Sequence, residues 1–542
     1  MSAHPHRVRG SLCAWAACIF FFFAGRAFLP HLGIQNDEAL FASVLYPPRA
    51  ADFMLHIGHS QVPLMLMSYL GTLKAWIYCP IFRVFGTGVS ALRDPVLLAG
   101  TASVWLFFLL LRRVAGERAA IIGCGLLAVD SLYLLTTCFD WGPVALQHLL
   151  LVGGLLLLMR FYQTRQDLAL VGGAFLLGLG MWDKALAVWM LTGIGVAGIL
   201  TFGRQIFGVT TIRRVATGGL AFALGALPLI IYNVDEKFPT LRSNMTRDTS
   251  NIAGKARQLM NTANGHGLFD WLVNEDWEAP VPHQPEGGLQ KASAKISSLA
   301  SHPRHNLMLY AFALALLLAP LARGNALRAI LFALIAMAVA WAQMAVTARA
   351  GTSVHHTILL WPFPEMVIAV SFAAASRRLG RAGIPSVAAV LMVLMVSGAL
   401  VTNEYYSLML RNGSQNWTDA IFRLSDYMKG VPSNGIYCAD WGIMDGLRLL
   451  NRGKLPLNVG TDPIRKPELS ADDRVYLKRV ISEPSHVFIA HTKDYEVFQG
   501  VNAKLLKYAA ESGYERETMA VIPDGWGRPV YEVYRFAGPG HP

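Results

Sequence analysis

The sequence has few charged residues for its length. Only 15% of its 542 residues are charged, whereas 54% are hydrophobic, and the mean hydropathy is +0.40. Soluble domains carry about 25% charged residues, so a soluble globular protein is excluded. The surplus of apolar residues predicts a polytopic α-helical membrane protein, because lipid must cover the apolar surface that the polar residues are too few to shield.

Cysteine is also scarce, and its spacing excludes two classes of site. The six cysteines form no CxxC pair and none of the spacings typical of zinc sites. Several lie in apolar segments, where a cysteine behaves mostly as a small hydrophobe. We therefore expect neither a disulfide framework nor a structural metal.

Acidic residues are outnumbered, which gives a net charge of +12. A nucleic-acid-binding protein could have this balance, but here much of the basic excess is arginine at the ends of apolar segments. That pattern is typical of membrane topology signals, so we expect no nucleic-acid partner. With the arginine-rich turns in the cytoplasm, the N-terminus is cytoplasmic and the residues after 402 lie outside an inner or plasma membrane.

This orientation gives about eleven transmembrane helices. The basic start of the chain mimics a secretory signal, but the apolar stretch continues far enough to predict an uncleaved first span. The spans cover about 11–31, 95–111, 119–137, 143–159, 168–182, 185–202, 215–232, 306–322, 329–347, 357–376 and 384–402. Residues 1–402 are thus predicted to form a transmembrane domain.

Residues 38–92 form the first external loop in this topology. The segment 62–85 is apolar enough to span, but an even number of crossings must separate Asp37 from residue 97, and zero is the simplest. Prolines interrupt the loop, and Lys74 and Arg83 suit a helix lying at the membrane surface better than a span. We therefore expect interfacial helices in this loop.

The composition changes after residue 402. The segments 436–440, 486–490 and 530–536 have the pattern of short strands, whereas 442–451 and 494–512 have the pattern of helices. Residues 403–542 are therefore predicted to form a small periplasmic α/β domain.

Ionisable residues gather at the outer ends of the predicted spans. Asp37 and Glu38 follow the first span, Asp140 follows the third and Lys184 follows the fifth. Such residues are costly beside lipid and are often functional. Because these groups lie on one side of the membrane, we expect them to share a polar cavity. Five further basic candidates lie on the same side: Arg349, His355, His356, His56 and His59.

A carboxylate in such a cavity can take a proton from an acceptor hydroxyl, and a cation can stabilise a departing phosphate. We predict that Asp37 is the general base and that Asp140 and Glu38 assist it. Lys184 and the five further basic candidates would bind the phosphate.

Each assignment has a structural alternative. Asp37 and Asp140 could cap helices, and Glu38 could be a solvated carboxylate in a first helical turn. Lys184 could pair with Asp183. The remaining basic residues could be interface anchors.

Several motifs in this order resemble those of GT-C fold membrane glycosyltransferases. This class contains the dolichyl-phosphate-mannose protein mannosyltransferases and the bacterial aminoarabinose and Rgt-type transferases. The similar runs are Asp37-Glu-Ala39, Val62-Pro-Leu64, Val84-Phe-Gly86, Ala91-Leu-Arg-Asp-Pro95, Asp140, Gly180 to Ala185, and His355-His356 leading to Leu359-Leu-Trp-Pro-Phe363. One departure is Ser60-Gln-Val-Pro63, where the family often has a Glu-Lys-Pro-Pro run whose lysine neutralises the donor phosphate.

The resemblance implies an inverting glycosyltransferase that moves a sugar from a polyprenyl-phosphate donor to an acceptor hydroxyl at the extracytoplasmic face. The acceptor is open among a protein hydroxyl, a lipid A or O-antigen unit and a cell-wall polymer. No cofactor is certain, although a divalent cation could lie between Asp37 and the histidines at positions 31, 56 and 59.

Two other functions remain open at this stage. A transporter or flippase for a lipid-linked sugar would need polar residues deep inside its spans, whereas the charges here lie nearly all at the span ends. An outer-face binding protein that recognises polysaccharide through its C-terminal domain would not need the acidic residues.

Overall fold

The computed structural model describes residues 5–273, 280–281 and 283–538, with side chains from residue 10 onward. The chain begins with α1 (Pro5–Phe28) and the short helix α2 (Asn36–Ala39). A three-stranded antiparallel sheet follows, made of β1 (Phe53–Ile57), β2 (Ser60–Met67) and β3 (Leu70–Gly71), and then α3 (Leu73–Phe85).

Helices make up nearly all of the next part of the chain. They are α4 (Val89–Ala115), α5 (Glu117–Val129), α6 (Ser131–Cys138), α7 (Val144–Thr164), α8 (Asp167–Asp183), α9 (Ala187–Val209), α10 (Ile212–Gly225), α11 (Leu227–Asp235), α12 (Pro239–Asn244), α13 (Ile252–Ala263), α14 (Gly288–Leu299), α15 (Met308–Leu318), α16 (Asn325–Val346), α17 (Val354–Thr357), α18 (Phe363–Arg378) and α19 (Gly383–Asn412).

Within the described residues, seven helices are long and apolar enough to cross a membrane, or up to nine if each of two bent pairs counts as one span. The chain is thus a multi-pass membrane protein. The expected number of eleven is not confirmed. Helix α8 has 17 residues, and the apolar stretch near 306–322 contains an α-helix of only 11 residues.

Two of the expected spans are broken helices. The helices α5 and α6 meet at 59° at Asp130, whose side chain caps the start of α6 by accepting from the Tyr133 N–H. The helices α10 and α11 meet at 75°, and a proline lies in the first turn of α11. A proline lacks the N–H that would continue the helix and clashes with the preceding turn. In both places the apolar pattern predicts one continuous helix, and a local helix cap or proline divides it into two.

The first external loop differs from the prediction. Residues 53–71 form strands rather than interfacial helices, and only α3 is helical in the predicted apolar segment. The turn between β1 and β2 contains Gly58 with a φ of +60°, a conformation that glycine adopts at little cost. Because this turn reverses the chain after five residues, the segment pairs as a hairpin.

The last part of the chain contains α20 (Ala420–Lys429), β4 (Gly435–Cys438), α21 (Met444–Leu450), β5 (Leu457–Val459), α22 (Asp462–Arg465), α23 (Ala471–Ile481), β6 (His486–His491), α24 (Val501–Glu511), β7 (Glu515–Pro523) and β8 (Pro529–Ala537). The sheet order is β5-β4-β6-β8-β7, with β4 parallel to β5 and β6 and the other pairs antiparallel. The sequence pattern missed β5 and β7. Helix α19 continues through residue 402, where the composition changes.

Two contacts hold the parts of the chain around the candidate site. Helix α18 is buried almost throughout and packs against α5, α15 and α16. The loop after α1 contacts the segment after α19, where the Gly33 N–H donates to the Trp417 carbonyl at 2.6 Å. The same segment leads into α20, and α21 packs against α2. The loop that carries Asp37 is thereby covered by the last part of the chain.

We expect Gly33→Ala to destabilise the fold. An added Cβ at this position would lie 1.7 Å from the backbone carbonyl oxygen of Thr418, and a backbone carbonyl cannot rotate away as a side chain can. Overpacking of this kind costs about 1–3 kcal/mol. The measurement is the thermal unfolding midpoint of the protein purified in detergent.

Gly219→Ala is the matched control, because no atom lies within 4 Å of its added Cβ and alanine is favoured over glycine inside a helix. Equal unfolding midpoints for the two variants would contradict the close approach at Gly33.

Candidate active site

Asp37 lies in the short helix α2, and its side chain is half-buried. Gln35 caps this helix, because its side-chain oxygen accepts from the Asp37 N–H at 2.7 Å. Asp37 Oδ2 accepts a hydrogen bond from the Trp141 indole N–H at 3.1 Å. Asp37 itself is therefore not the cap of its helix, and one of its two carboxylate oxygens is held by a residue far away in the sequence.

Burial raises the pKa of Asp37, whereas the Trp141 hydrogen bond and the charge of Lys184 lower it. The first effect is the largest, so the pKa of Asp37 lies above the ordinary aspartate value. A raised pKa is what a carboxylate needs in order to accept a proton near neutral pH.

Glu38, the neighbouring residue, has a different environment. Both of its carboxylate oxygens accept from Arg93, at 2.6 Å from Nε and 2.8 Å from Nη2. Arg93 also donates to the backbone carbonyls of Leu32 and Gly33. Both side chains of the pair are almost completely buried. Glu38 is therefore not the solvated carboxylate of the alternative interpretation, because it anchors the loop that carries Asp37.

Asp140 begins the turn 140–143, which precedes α7. Its φ is +42°, and its Oδ1 accepts from the Ala145 N–H at 3.0 Å, so the capping alternative is realised. Its Oδ2 lies 2.7 Å from Lys74 Nζ, and both side chains are buried. Lys74 also donates to the Glu38 carbonyl at 3.2 Å. Asp140 thus combines a cap with a buried ion pair beside Asp37.

Lys74 is the site residue that sequence reasoning missed. It was interpreted only as evidence that its segment lies at the membrane surface. A signal was nevertheless present, because a lysine inside an apolar segment must find a partner or reach water.

Lys184 approaches the same turn from the chain between α8 and α9. Its Nζ donates to the Gly142 carbonyl at 2.6 Å. Burial lowers the pKa of Lys184 to about 8, and the charges of Asp37, Asp183 and Asp140 oppose this effect. The expected alternative, an ion pair with Asp183, is not formed, because Asp183 accepts from the Gln147 amide at 3.0 Å.

His355 and His356 also reach this turn. The His355 ring lies 4.6 Å from the Trp141 ring, and its Nδ1 is 2.9 Å from Ser353 Oγ. The rings of the two histidines are 4.2 Å apart. Trp141 also stacks on Trp271 at 5.5 Å, with the planes inclined by 15°. The turn 140–143 is therefore surrounded by aromatic and imidazole rings on one side.

Three predicted binding residues do not join this group. Arg349 is exposed, His56 contacts Gln61 on the exposed β1–β2 hairpin, and His59 lies in its turn. His31 packs against Tyr406. Across the described residues, no three His, Cys, Asp or Glu side chains come together in a way that could hold a metal. The structure therefore gives no support to a cation between Asp37 and the histidines at 31, 56 and 59, because these side chains lie on separate elements.

Comparison with known proteins agrees with the resemblance seen in the motifs. A family model described as dolichyl-phosphate-mannose-protein mannosyltransferase matches residues 71–232. The crystal structure of ArnT from Cupriavidus metallidurans bound to undecaprenyl phosphate is similar with a TM-score of 0.56 at 13% identity, over 96% of this chain and 97% of that chain. The chain has the GT-C fold.

A second GT-C fold protein gives a comparable match. AglB, an archaeal oligosaccharyltransferase from Archaeoglobus fulgidus in complex with an inhibitory peptide and a dolichol-phosphate, has a TM-score of 0.51 at 12% identity, over 97% of this chain and 74% of that chain. A search of curated protein sequences finds no significant match. The predicted resemblance to GT-C fold membrane glycosyltransferases is confirmed.

We expect Trp141→Phe to raise the pKa of Asp37 further, because the indole N–H that stabilises the carboxylate is lost. A hydrogen bond to a charged group contributes about 1.5–3 kcal/mol, which corresponds to about one pH unit or more. The measurement is the infrared band of the protonated carboxyl as a function of pH, with the spectrum of Asp37→Asn subtracted.

Trp271→Phe is the matched control, because Trp271 stacks on Trp141 and contributes no hydrogen bond to Asp37. If the Asp37 carboxyl had the same pKa in both variants, the Trp141 hydrogen bond would not be what lowers it.

Proposed function

We propose that the chain is an inverting glycosyltransferase that uses a polyprenyl-phosphate sugar and transfers the sugar to an acceptor hydroxyl at the extracytoplasmic face. The observation that carries the proposal is the convergence of one half-buried carboxylate, Asp37, and two buried lysines, Lys74 and Lys184, on the turn 140–143. The similar ArnT structure is bound to undecaprenyl phosphate and the similar AglB structure to a dolichol-phosphate, and the matching family is that of dolichyl-phosphate-mannose-protein mannosyltransferases.

Asp37 is the general base in this mechanism. Its Oδ2 is held by Trp141, which leaves Oδ1 for the acceptor hydroxyl. As the acceptor oxygen attacks the anomeric carbon, its proton moves to Asp37, and the bond from that carbon to the donor phosphate oxygen breaks. A single displacement inverts the configuration at carbon. The proton then leaves Asp37 for water.

The lysines stabilise the departing phosphate. Lys74 is balanced by Asp140, whereas the nearest polar partner of Lys184 is a carbonyl oxygen. The positive charge of Lys184 is therefore not neutralised by an ion pair with any described residue. We assign binding of the donor phosphate to Lys184, with Lys74 and the two histidines beside it. Cations placed where charge develops in the transition state contribute most when they are buried. Glu38 assists only by holding the loop.

The lipid chain of the donor needs an apolar site. An apolar cavity of about 600 Å³ lies among α4, α7, α8, α9, α10, α16 and α18. A smaller cavity lined by Gln147, Gly180 and Met190 lies on the same helices, closer to the turn 140–143. We propose that the donor chain runs from Lys184 along these helices. The cavity of about 600 Å³ has an almost entirely apolar lining. A transporter would need polar groups there to bind a sugar, so this lining does not favour a sugar transporter.

The proposal also concerns the side of the membrane on which the site lies. The arginine distribution supports an N-terminus on the cytoplasmic side of an inner or plasma membrane and a site on the outer side. The α/β unit that begins with α20 would then be periplasmic. Its helix α21 packs against α2, so it covers the site from the outer side, where a glycan, lipid or protein acceptor would approach.

We expect Asp37→Asn to lower the rate of sugar transfer by about 10²–10⁴-fold and to leave donor binding unchanged, because the amide cannot accept the proton but keeps the shape. The measurement is transfer from a panel of short polyprenyl-phosphate hexoses and pentoses by purified protein. Mass analysis of cell-envelope glycans and lipids with and without the gene identifies the sugar and the acceptor for this assay.

Asp426→Asn is the control, because Asp426 is an exposed carboxylate on α20. Transfer at the wild-type rate by Asp37→Asn would refute the assignment of the base.

A second prediction concerns pH. Since the pKa of Lys184 is lowered to about 8, the side chain loses its charge as the pH rises through this value, and affinity for undecaprenyl phosphate should fall there. Lys184→Arg should keep its affinity at higher pH, because arginine does not deprotonate in proteins. The measurement is binding of undecaprenyl phosphate between about pH 6 and pH 10.

Lys429→Arg, on the surface of α20, is the control. An identical pH dependence of binding for wild type and Lys184→Arg would exclude Lys184 as the phosphate partner.

A further inference from the structure

Two carboxyl side chains lie deep inside the helical bundle, away from the turn 140–143. Asp130 lies at the break between α5 and α6, and Glu365 lies in the first turn of α18, with exposed fractions of 3% and 0%. Within the described ranges, neither carboxyl is paired with a lysine or an arginine. The proposed glycosyl transfer uses neither of them.

The structural role of Asp130 is evident, whereas that of Glu365 is not. Asp130 Oδ1 accepts from the Tyr133 N–H at 2.8 Å and caps α6, and Oδ2 accepts from the Trp361 indole at 3.1 Å. Both oxygens of Glu365 are buried with no hydrogen-bond partner among the described protein groups. A cap accounts for Asp130, whereas the carboxyl of Glu365 lies in the first turn of α18 without a full hydrogen-bond partner to replace the water that it lost.

The two carboxyls belong to one site. The Trp361 indole links them, because it donates to Asp130 Oδ2 at 3.1 Å and stands four residues before Glu365 in the chain, and the charge of Asp130 acts on Glu365. The titratable groups that face them are Tyr133 on α6 and, behind Tyr133, His148 on α7, whose ring lies 4.9 Å from the Tyr133 ring. The Tyr133 hydroxyl is also buried without a hydrogen-bond partner among these groups.

Two ionised carboxylates cannot share this position. Each buried charge without a counter-ion is strongly unfavourable, and the two charges repel each other in the low dielectric of the bundle. One proton removes the repulsion and one of the two buried charges, since a protonated carboxyl is neutral. Pairs of this kind titrate as a unit.

We propose that Asp130 and Glu365 together form a proton-binding site in the interior of the membrane domain. One of the two carboxyls carries the proton, and the Trp361 indole, which donates to Asp130, connects the start of α6 to the segment just before α18. The chain after α6 leads into Asp140, and the chain just before α18 carries His355. Asp130 and Glu365 are thus positioning residues, which hold together the two segments that line the candidate active site.

The first test is chemical modification of the full-length protein in detergent by dicyclohexylcarbodiimide, which reacts with protonated carboxyls in apolar surroundings. At about pH 7.5 ordinary carboxyls are ionised, so we expect peptide mass mapping to find the label on Glu365 or Asp130. Glu365→Gln should abolish it. Glu404 is the internal control, since it is also buried but contacts Ser297 and His302, and it should remain unlabelled.

Two outcomes of this test would overturn the proposal. One is an unlabelled Glu365 and an unlabelled Asp130 in wild-type protein when both peptides are recovered. The other is protection from the reagent by sodium ions in a concentration-dependent manner, which would show that the pair holds a metal cation instead of a proton.

The second test is the pH dependence of stability. The folded protein keeps this proton, whereas the unfolded chain releases it above about pH 4–5. Folding stability should therefore fall as the pH rises from there, by up to about tenfold per pH unit in the folding equilibrium. Glu365→Gln carries a neutral amide in place of the neutral acid, so its unfolding midpoint should depend less on pH than that of the wild type.

Glu365→Ala tests the positioning role, because it removes the polar group altogether, whereas Glu365→Gln keeps a neutral polar group of the same shape. We expect its unfolding midpoint to lie below that of Glu365→Gln at every pH. Parallel pH profiles for wild type and Glu365→Gln would overturn the proposal. Neither test needs a sugar donor or an acceptor, so the result is independent of the proposed glycosyl transfer.

Discussion

The candidate site depends on the buried ion pair between Glu38 and Arg93. A buried carboxylate is tolerated only when its partner and the surrounding hydrogen bonds replace the lost water. Arg93 does this, because it donates to both oxygens of Glu38 and to backbone carbonyls of the loop before α2. This loop carries Asp37, so the ion pair fixes the direction of the Asp37 side chain. Removing one partner of such a pair costs about 3–5 kcal/mol.

The turn 140–143 is where the distant parts of the chain meet. Trp141 donates to Asp37, Asp140 pairs with Lys74, and the Gly142 carbonyl accepts from Lys184. Gly142 has a φ of +70°, and an added Cβ would lie 3.1 Å from both His355 Cδ2 and Lys184 Nζ. Glycine at this position therefore permits both the turn and the close approach of two side chains.

Part of this site could be predicted from the sequence. The predicted topology puts Asp37, Asp140, Lys184 and the two adjacent histidines on one side of the membrane, because the arginine-rich turns indicate the direction of each apolar segment. The same prediction puts Arg349 and the two histidines of the β1–β2 hairpin on that side, but these residues lie away from the turn 140–143. A side of the membrane is a broad surface, and topology alone does not tell which residues on it are neighbours. Asp130 and Glu365 were missed, since a single acidic residue hardly changes the hydropathy of a span.

The sequence by itself determined that the chain enters the membrane many times and that it resembles the GT-C glycosyltransferases, because composition, arginine placement and motif order are properties of the linear chain. Only the tertiary structure decided the roles of two adjacent carboxylates. Asp37 meets Trp141 and Glu38 meets Arg93, and both partners come from helices and turns far along the chain. Neighbours in sequence share one short stretch of chain but point in different directions, so the long-range contacts that folding creates give them different chemistry.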